Sequence, residues 1–479
     1  MSVLSQNPIG GIKLDGRWFA AFILLQVVVV VAILLGGIKF VLLAVGGVVA
    51  GTIMVLLLLY PWIVVPAIVV TTALDITGRL VKIPSIGVPL TGFHLSLAVM
   101  VITLPISMFL RRRIELPPFE LKGPLITFLG IIAISLVYSP NQPEATIYFM
   151  RVVALVFFMY LTQIMIDSKA AVNMVVCAMV ISIMAASGMG AWQVATGEFH
   201  LSVSMVSALG ANVPRATATF DNPNIFGAFL MSGVIPLMGV LLNYRMSWWK
   251  QGIIGLACLI GTLGTLATFS RSTWLSLGVG ILVVLWLGKK LRYLFAFILV
   301  SLLIMLMLKE FVPFAAFIFD RFASIFTIFE EFGSVSRTSG TARVYLILAS
   351  FEMFLDHPVL GVGWRSFPIY LHDYAPPGYP WWSLVDENHT VLSAILAEVG
   401  LVGLAAALWF IFRTFWIGYK EVDKMQDPYL RSVLIGVVAV FVGFQVNQSF
   451  NGDFSNNIFW FFIGILFAVI HIDRKARAA

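Results

Sequence analysis

Apolar residues run through this chain in long blocks, separated by short polar breaks. Runs of about 18 or more residues recur among them, each enough for a helix to cross roughly 30 Å of hydrocarbon. A membrane barrel needs alternating polar positions, and stretches such as Val27 to Leu35 do not alternate. Helices are therefore the spanning element, since they satisfy every backbone group internally. The pattern predicts an all-α polytopic membrane protein with about 14 transmembrane helices. They fall near 18–37, 40–59, 62–76, 93–110, 122–138, 148–166, 171–195, 225–242, 251–269, 272–288, 292–308, 390–412, 430–447 and 455–472. The second and third are separated only by Tyr60, Pro61 and Trp62, so 40–76 reads either as two spans or as one re-entrant element.

The exception to the short breaks is the stretch from Lys309 to Asn388. Loops of this length usually carry function. It contains an amphipathic helix, Ala342 to Leu355, stopped at Asp356-His357-Pro358, because a residue before proline resists helical geometry. Aromatics then crowd Trp364 to Trp382 among Pro376, Pro377 and Pro380, which suits a folded lid on the membrane surface. The organisation expected is thus eleven spans over 1–308, a large, partly helical loop or lid over 309–389, and three spans over 390–479.

Charge fixes the orientation. With the N-terminus inside, the inner breaks receive 19 of the 30 Lys and Arg, including Lys169, Lys289, Arg431 and Arg474. Five of the remaining eleven lie in the long loop, where the rule has less weight, so both termini and the short basic breaks are assigned inside. Composition agrees: 60% of residues are hydrophobic and 11% charged, against roughly 25% charged in soluble domains. The net charge of +7 is spread over these topogenic clusters, which argues for membrane lipid and against nucleic acid as a partner. Cys177 and Cys258 both fall in apolar runs and imply no disulfide framework. No small-residue cleavage site follows the first apolar run, so that run is expected to remain as a span.

On the outer side polar groups gather at helix ends. Arg215 lies in Pro214-Arg-Ala-Thr-Ala-Thr-Phe-Asp-Asn-Pro-Asn224, Arg271 in the turn Phe269-Ser-Arg-Ser-Thr-Trp274, Arg343 at the opening of the lid helix, and His389 at the start of the twelfth span. An arginine beside hydrocarbon is costly, so these positions are better explained by a polar cavity or partner than by lipid tails. Guanidinium groups grip phosphate through paired hydrogen bonds and keep their charge, which suits a diphosphate. A histidine can accept a proton from a sugar hydroxyl near neutral pH. The bland readings are lipid-headgroup contacts for the arginines and a helix cap for His389. Asn222-Pro223 reads as a helix start, and Glu398, nine residues beyond His389, as a buried acid bonded to a neighbouring helix. His94, His200, His357 and His372 show no metal-ligand spacing, and no phosphate-binding glycine loop is present, so neither a metal site nor a cofactor is indicated.

Taken in order, Arg215 with Phe220-Asp-Asn-Pro-Asn224, Phe269-Ser-Arg-Ser-Thr-Trp274, Ser339-Gly-Thr-Ala-Arg343, His357-Pro-Val-Leu-Gly-Val-Gly363, Asn388-His-Thr-Val-Leu392 and Glu398-Val-Gly-Leu-Val-Gly403 resemble the O-antigen ligase/polymerase superfamily. The resemblance covers about 215 to 415; the first 200 residues resemble only generic spans. It implies a metal-independent glycosyltransferase of the bacterial inner membrane that takes a glycan from undecaprenyl diphosphate on the periplasmic side. It places the family's essential arginines on Arg215 and Arg343, with Arg271 as a further phosphate contact, and its essential histidine on His389. The chain departs from the family at Trp364-Arg365, where smaller residues are common, leaving Arg365 as an additional candidate for substrate binding, and at Thr390. Transfer to lipid A-core, as a ligase, is the favoured reading; a repeat-unit polymerase uses the same donor. A lipid-linked glycan flippase would place charge along a path through the bilayer centre, whereas here charge collects at outer helix ends.

Overall fold

A computed structural model describes residues 61–73, 92–111, 116–197, 205–208, 211–295, 299, 303, 339–379, 390–452 and 454–478. The expected spans 18–37 and 40–59 lie outside them, and 292–308 lies largely outside. The described helices are α1 (Val64–Ala73), α2 (Gly92–Arg111), α3 (Lys122–Ser135), α4 (Gln142–Met165), α5 (Lys169–Thr196), α6 (Pro223–Asn243), α7 (Trp248–Ala267), α8 (Arg271–Leu287), α9 (Ser339–Asp356), α10 (Phe367–Tyr374), α11 (Val391–Val422), α12 (Pro428–Asn451) and α13 (Asn457–Ala478). Seven of them, α4 to α7 and α11 to α13, are long and apolar enough to cross a membrane, and α1, α3 and α8 are shorter apolar helices. This is a multi-pass membrane protein.

One departure from an all-helical chain is a two-stranded antiparallel hairpin between α5 and α6, β1 (Met205–Ala208) and β2 (Ala211–Pro214), with Ala208 opposite Ala211. Helix starts also move. The sixth expected span begins at Gln142 because Asn141 caps it: its side chain accepts from Glu144 N at 3.4 Å and donates to the Glu144 carboxylate at 2.7 Å. The lid helix begins at Ser339, three residues before the expected start, and ends at Asp356.

The chain divides into two compact units, Met1–Val64 with Ser96–Leu116 and Val65–Leu95 with Pro117–Ala479. In the larger unit, α6, α12 and α13 are the most buried of the long helices, at 78%, 78% and 72% of their apolar windows, while α7 is 28% buried. The central helices thus pack against protein nearly all round, and α7 presents apolar residues such as Leu259 and Leu263 outward. Small residues bring α6 and α12 together: a Cβ on Gly239 would lie 2.6 Å from the Gly436 Cα. Close backbone approach of this kind drives association where lipid removes the hydrophobic incentive.

Cross-contacts gather the breaks between helices into two groups. Lys169 pairs with Asp427 at 2.5 Å and Lys289 with Asp423 at 3.1 Å, joining breaks assigned to one side. Tyr138 donates to Leu360 O at 2.6 Å and Ser139 to Trp364 O at 3.0 Å, joining breaks assigned to the other.

α11 is not a regular helix. Gly400 has φ +68°, which breaks the helical hydrogen bonding inside a 32-residue apolar element. The freed groups are met by the strap that follows α9. Val362 N donates to Ala397 O and Gly363 N to Glu398 O, each at 2.9 Å, while Leu401 N donates to Pro358 O at 2.9 Å and Val402 N to Val359 O at 3.4 Å. Non-helical backbone at membrane depth requires such a partner. The strap also anchors a small core, where Leu346, Met353, Phe367 and Leu371 are buried together with Ala397.

Candidate active site

One end of the larger unit collects the arginines, beginning with an irregular stretch held by a single side chain. Gln193 is fully buried one turn before α5 ends at Gly197. Its amide oxygen accepts from Thr217 N at 3.1 Å and Ala218 N at 2.7 Å, and its amide nitrogen donates to Ala218 O at 2.7 Å. Backbone groups that no sheet or helix satisfies are thereby paired. Asn222 then starts α6 as its sequence suggests, accepting from Asn224 N at 2.8 Å with Pro223 in the first turn.

Arg215, in this stretch, turns inward. Its Nε donates to Thr268 O at 2.7 Å and its Nη2 to Asn224 Oδ1 at 3.1 Å, while Ala216 N donates to Ala267 O at 3.0 Å. The guanidinium therefore lies across the carboxyl end of α7, where the helix dipole favours a cation. It ties the loop to the turn.

The turn it holds, Thr268 to Ser270, links α7 to α8. Phe269 is fully buried with φ +51°, and Trp274 Nε1 donates back to Thr265 O at 3.0 Å. Ser270 provides no side-chain cap and instead bonds to Ser272 and Thr273, at 3.1 and 2.8 Å. Arg271 is the first residue of α8, at the positive end of a helix dipole. Backbone N–H groups at such an end favour an anion beside them.

The second cation is close by. Arg343, in the second turn of α9 and outside the apolar spans, has its pKa lowered from 12.5 to about 10, first by burial and then by the charge of Arg271. It remains protonated near neutral pH, so two guanidinium charges share a partly buried space. Desolvation and like charge acting together on a titratable group mark a functional-site candidate.

Arg365 stands apart in its chemistry. Its Nη2 pairs with the Glu144 carboxylate at 3.3 Å, and its guanidinium carbon lies 3.7 Å from the centroid of the Tyr148 ring. Its backbone adopts φ +59°. The acid and the ring at the start of α4 thus fix its position and offset its charge. Glu398, 5% exposed, accepts from Phe367 N at 3.2 Å at the start of α10, so it is a buried acid bonded to a neighbouring helix.

The structure therefore joins Arg215 and Arg271 through one turn and Arg271 to Arg343 through charge, and places Arg365 with Glu144 and Tyr148. His389 lies outside the described residues; α11 starts two residues later, with Thr390 at its N-cap position. Three of the four non-glycine residues with positive φ among the described residues, Ala218, Phe269 and Arg365, belong to these site segments. Such strain collects where surrounding structure holds a functional geometry. Gln193, Glu144 and Tyr148 were not singled out from sequence. Gln193 gave a usable signal, as a lone amide near the end of an apolar helix just before a glycine.

Residues 256–408 match the family model described as O-antigen ligase. The match supports the superfamily resemblance carried by the motifs. It includes Arg271, Arg343, Arg365, His389 and Glu398, and Arg215 precedes it. No curated protein matches the chain.

Proposed function

We propose, with the O-antigen ligase match as premise, that this membrane protein is a glycosyltransferase moving a glycan from undecaprenyl diphosphate to an acceptor hydroxyl. The observation that carries the reading is Arg343, half-buried and within the charge field of Arg271 at a helix amino end, a pairing of cations that suits a polyanion. A lipid-linked diphosphate supplies one. Arg343 and Arg271 grip it, and Arg215 positions the turn that carries Arg271. The bond between the anomeric carbon and the diphosphate oxygen breaks as the acceptor oxygen bonds to that carbon. The diphosphate leaves with the bonding electron pair, stabilised by the guanidinium groups. His389 takes the acceptor's proton. No metal or cofactor is invoked.

The reaction is assigned to the periplasmic side of the bacterial inner membrane, following the distribution of Lys and Arg over the short breaks. Within the class we favour the ligase, with lipid A-core as acceptor. A polymerase joining repeat units would use the same donor grip, and a flippase would move the carrier without making a bond.

The test offers purified, reconstituted protein a lipid-linked repeat unit with and without lipid A-core. Glycan on the core supports the ligase, longer carrier-linked chains make it a polymerase, and translocation without a new bond rejects both. His389→Ala should reduce transfer with donor binding little changed; loss of donor binding would make this residue a phosphate ligand instead.

A further inference from the structure

The helix that carries Arg343, α9, is apolar on two faces. Leu346, Ala349 and Met353 are buried in the small core that the strap anchors. On the opposite face Ile347, Leu348, Phe351 and Leu355 are exposed, Phe351 at 48% and Leu355 at 54%. Their spacing of three and four residues sets them in one stripe. Glu352 and Asp356, also exposed, lie along one flank of it. A helix at the surface of a soluble protein turns polar residues outward; α9 turns a second apolar stripe outward instead.

The stripe does not stand alone. Val359 and Leu360 of the strap are exposed four residues further on. The strap backbone bonds to Leu401 and Val402, whose side chains are exposed on the membrane-length helix α11. Tyr138, just past α3, donates to Leu360 O, and Val137 beside it is exposed. The apolar surface of α9 thus runs through the strap into the outward faces of α11 and α3.

The two ends of α9 are pinned at one level. Near its start, Arg343 lies in the charge field of Arg271, the first residue of α8. Past its end, the strap meets Tyr138 at the end of α3. The opposite ends of α8 and α3 both meet the close of α11, through Lys289 with Asp423 and through Arg474 with Glu120 and Glu421. The start of α8 and the end of α3 therefore lie on the same side. An 18-residue helix is about 27 Å long, and one held at both ends on the same side lies along the membrane, not across it.

We propose that α9 is an interfacial helix whose outward stripe sinks among the acyl chains of membrane phospholipid, in the leaflet at the arginine end. Helices of this kind bury an apolar face about 5–10 Å into the boundary between headgroups and chains. Lipid is the occupant because the stripe continues the outward apolar surface of the membrane helices. The anchor holds Arg343, one turn before Ile347, at the depth of lipid phosphates. Only that last consequence touches the transferase reading.

Spin labels test the depth in full-length protein reconstituted into phosphatidylethanolamine–phosphatidylglycerol vesicles. Cys177→Ser removes the exposed native thiol, and Cys258 is buried. Leu348→Cys, Phe351→Cys and Leu355→Cys each put a label on the stripe, and Asp373→Cys puts a reference label on an exposed polar position of α10. Oxygen partitions into lipid, whereas a nickel chelate stays in water. The oxygen-to-nickel collision ratio at each stripe position should exceed that at Asp373→Cys by roughly tenfold. A ratio equal to the reference would put the stripe in water and overturn the proposal. Shielding from both reagents would put it under protein, either a second copy or another part of this chain, and overturn it too. Three stripe positions keep the test decisive if one variant fails to fold. None of these readings uses glycan transfer, so a chain that transfers nothing can still show the anchor.

Discussion

The two ends of the larger unit use charge in opposite ways. At the end away from the arginine pair, Glu421 receives Arg474 at 3.1 Å, Arg477 at 3.0 Å and Lys424 at 3.1 Å. Arg474 also pairs with Glu120, Arg477 with Asp473, and Asp473 accepts from Gln426 N and Asp427 N. These contacts clasp α11, α12 and α13 and the break before α3. At the other end the charge of Arg271, another cation, acts on Arg343 and lowers its pKa. One end uses arginine to close a structure. The other holds arginine in an environment that disfavours its charge, as the proposed anion grip requires.

The largest effect should separate these roles at one residue. Arg343→Met removes a phosphate ligand and should lower transfer by roughly 10²–10³-fold, as loss of a positioned donor does elsewhere. The same variant should melt higher in detergent. Because the pKa of Arg343 falls from 12.5 to about 10, the folded chain holds this proton less tightly than the unfolded chain. The penalty is fully present at neutral pH and fades only as pH rises past about 10. Arg343→Lys should lose nearly as much activity, since an ammonium cannot reproduce the two-pronged contact. A Met variant that transfers normally, or that melts lower, would break the contrast between the ends.

Glu421→Ala should produce the reverse. It leaves Arg474 and Arg477 without their shared acid in a place where Glu421 is only 5% exposed. Breaking a buried pair from one side costs roughly 3–5 kcal/mol. Thermal melts should record that loss, while donor KM stays near wild type. A shift in donor KM without loss of stability would show that the two ends are not separate in function.

How far these differences could be read in advance depended on where each group finds its partner. Spans with local signals were legible: α6 from Asn222-Pro223, α9 from its amphipathic run and stop at His357-Pro358, and the alternation of ends from Lys and Arg. The arginine positions were legible too, because charge at the end of an apolar run is conspicuous. Partners remote in sequence were not. Arg365 meets Glu144 across 221 positions, and the break at Gly400 is satisfied by a strap some forty residues earlier. A glycine in an apolar run gives no sign that its helix is interrupted until the strap is in place. The hairpin before Arg215 was likewise hidden in a loop between two strong helical patterns.

Gln193 sharpens the comparison because it supports the arginine end without carrying charge. Gln193→Leu keeps a similar volume and strips the acceptor from Thr217 N and Ala218 N. The loop bearing Arg215 should loosen, reducing transfer about tenfold through donor KM and costing roughly 1–3 kcal/mol of stability for the unsatisfied groups. Retained donor KM in a destabilised protein would mean that the loop does not position the grip.

The smallest effect concerns Asp423, which pairs with Lys289 at 3.1 Å and Arg431 at 3.4 Å on an exposed rim of the ion-pair end. Exposed pairs contribute little, so Asp423→Asn should cost under about 1 kcal/mol. The hydrogen bond from Lys289 is the main reason this carboxyl lies below its ordinary range, with slight burial opposing it. A depressed carboxylate stabilises the fold above its unfolded pKa and loses that contribution as pH falls through the folded value. The wild-type advantage should therefore be present at neutral pH, disappear in acid, and shrink in molar salt. An advantage that persists under both conditions would show that Asp423 belongs with the buried clasp around Glu421, and that the ion-pair end is one network reaching to its surface.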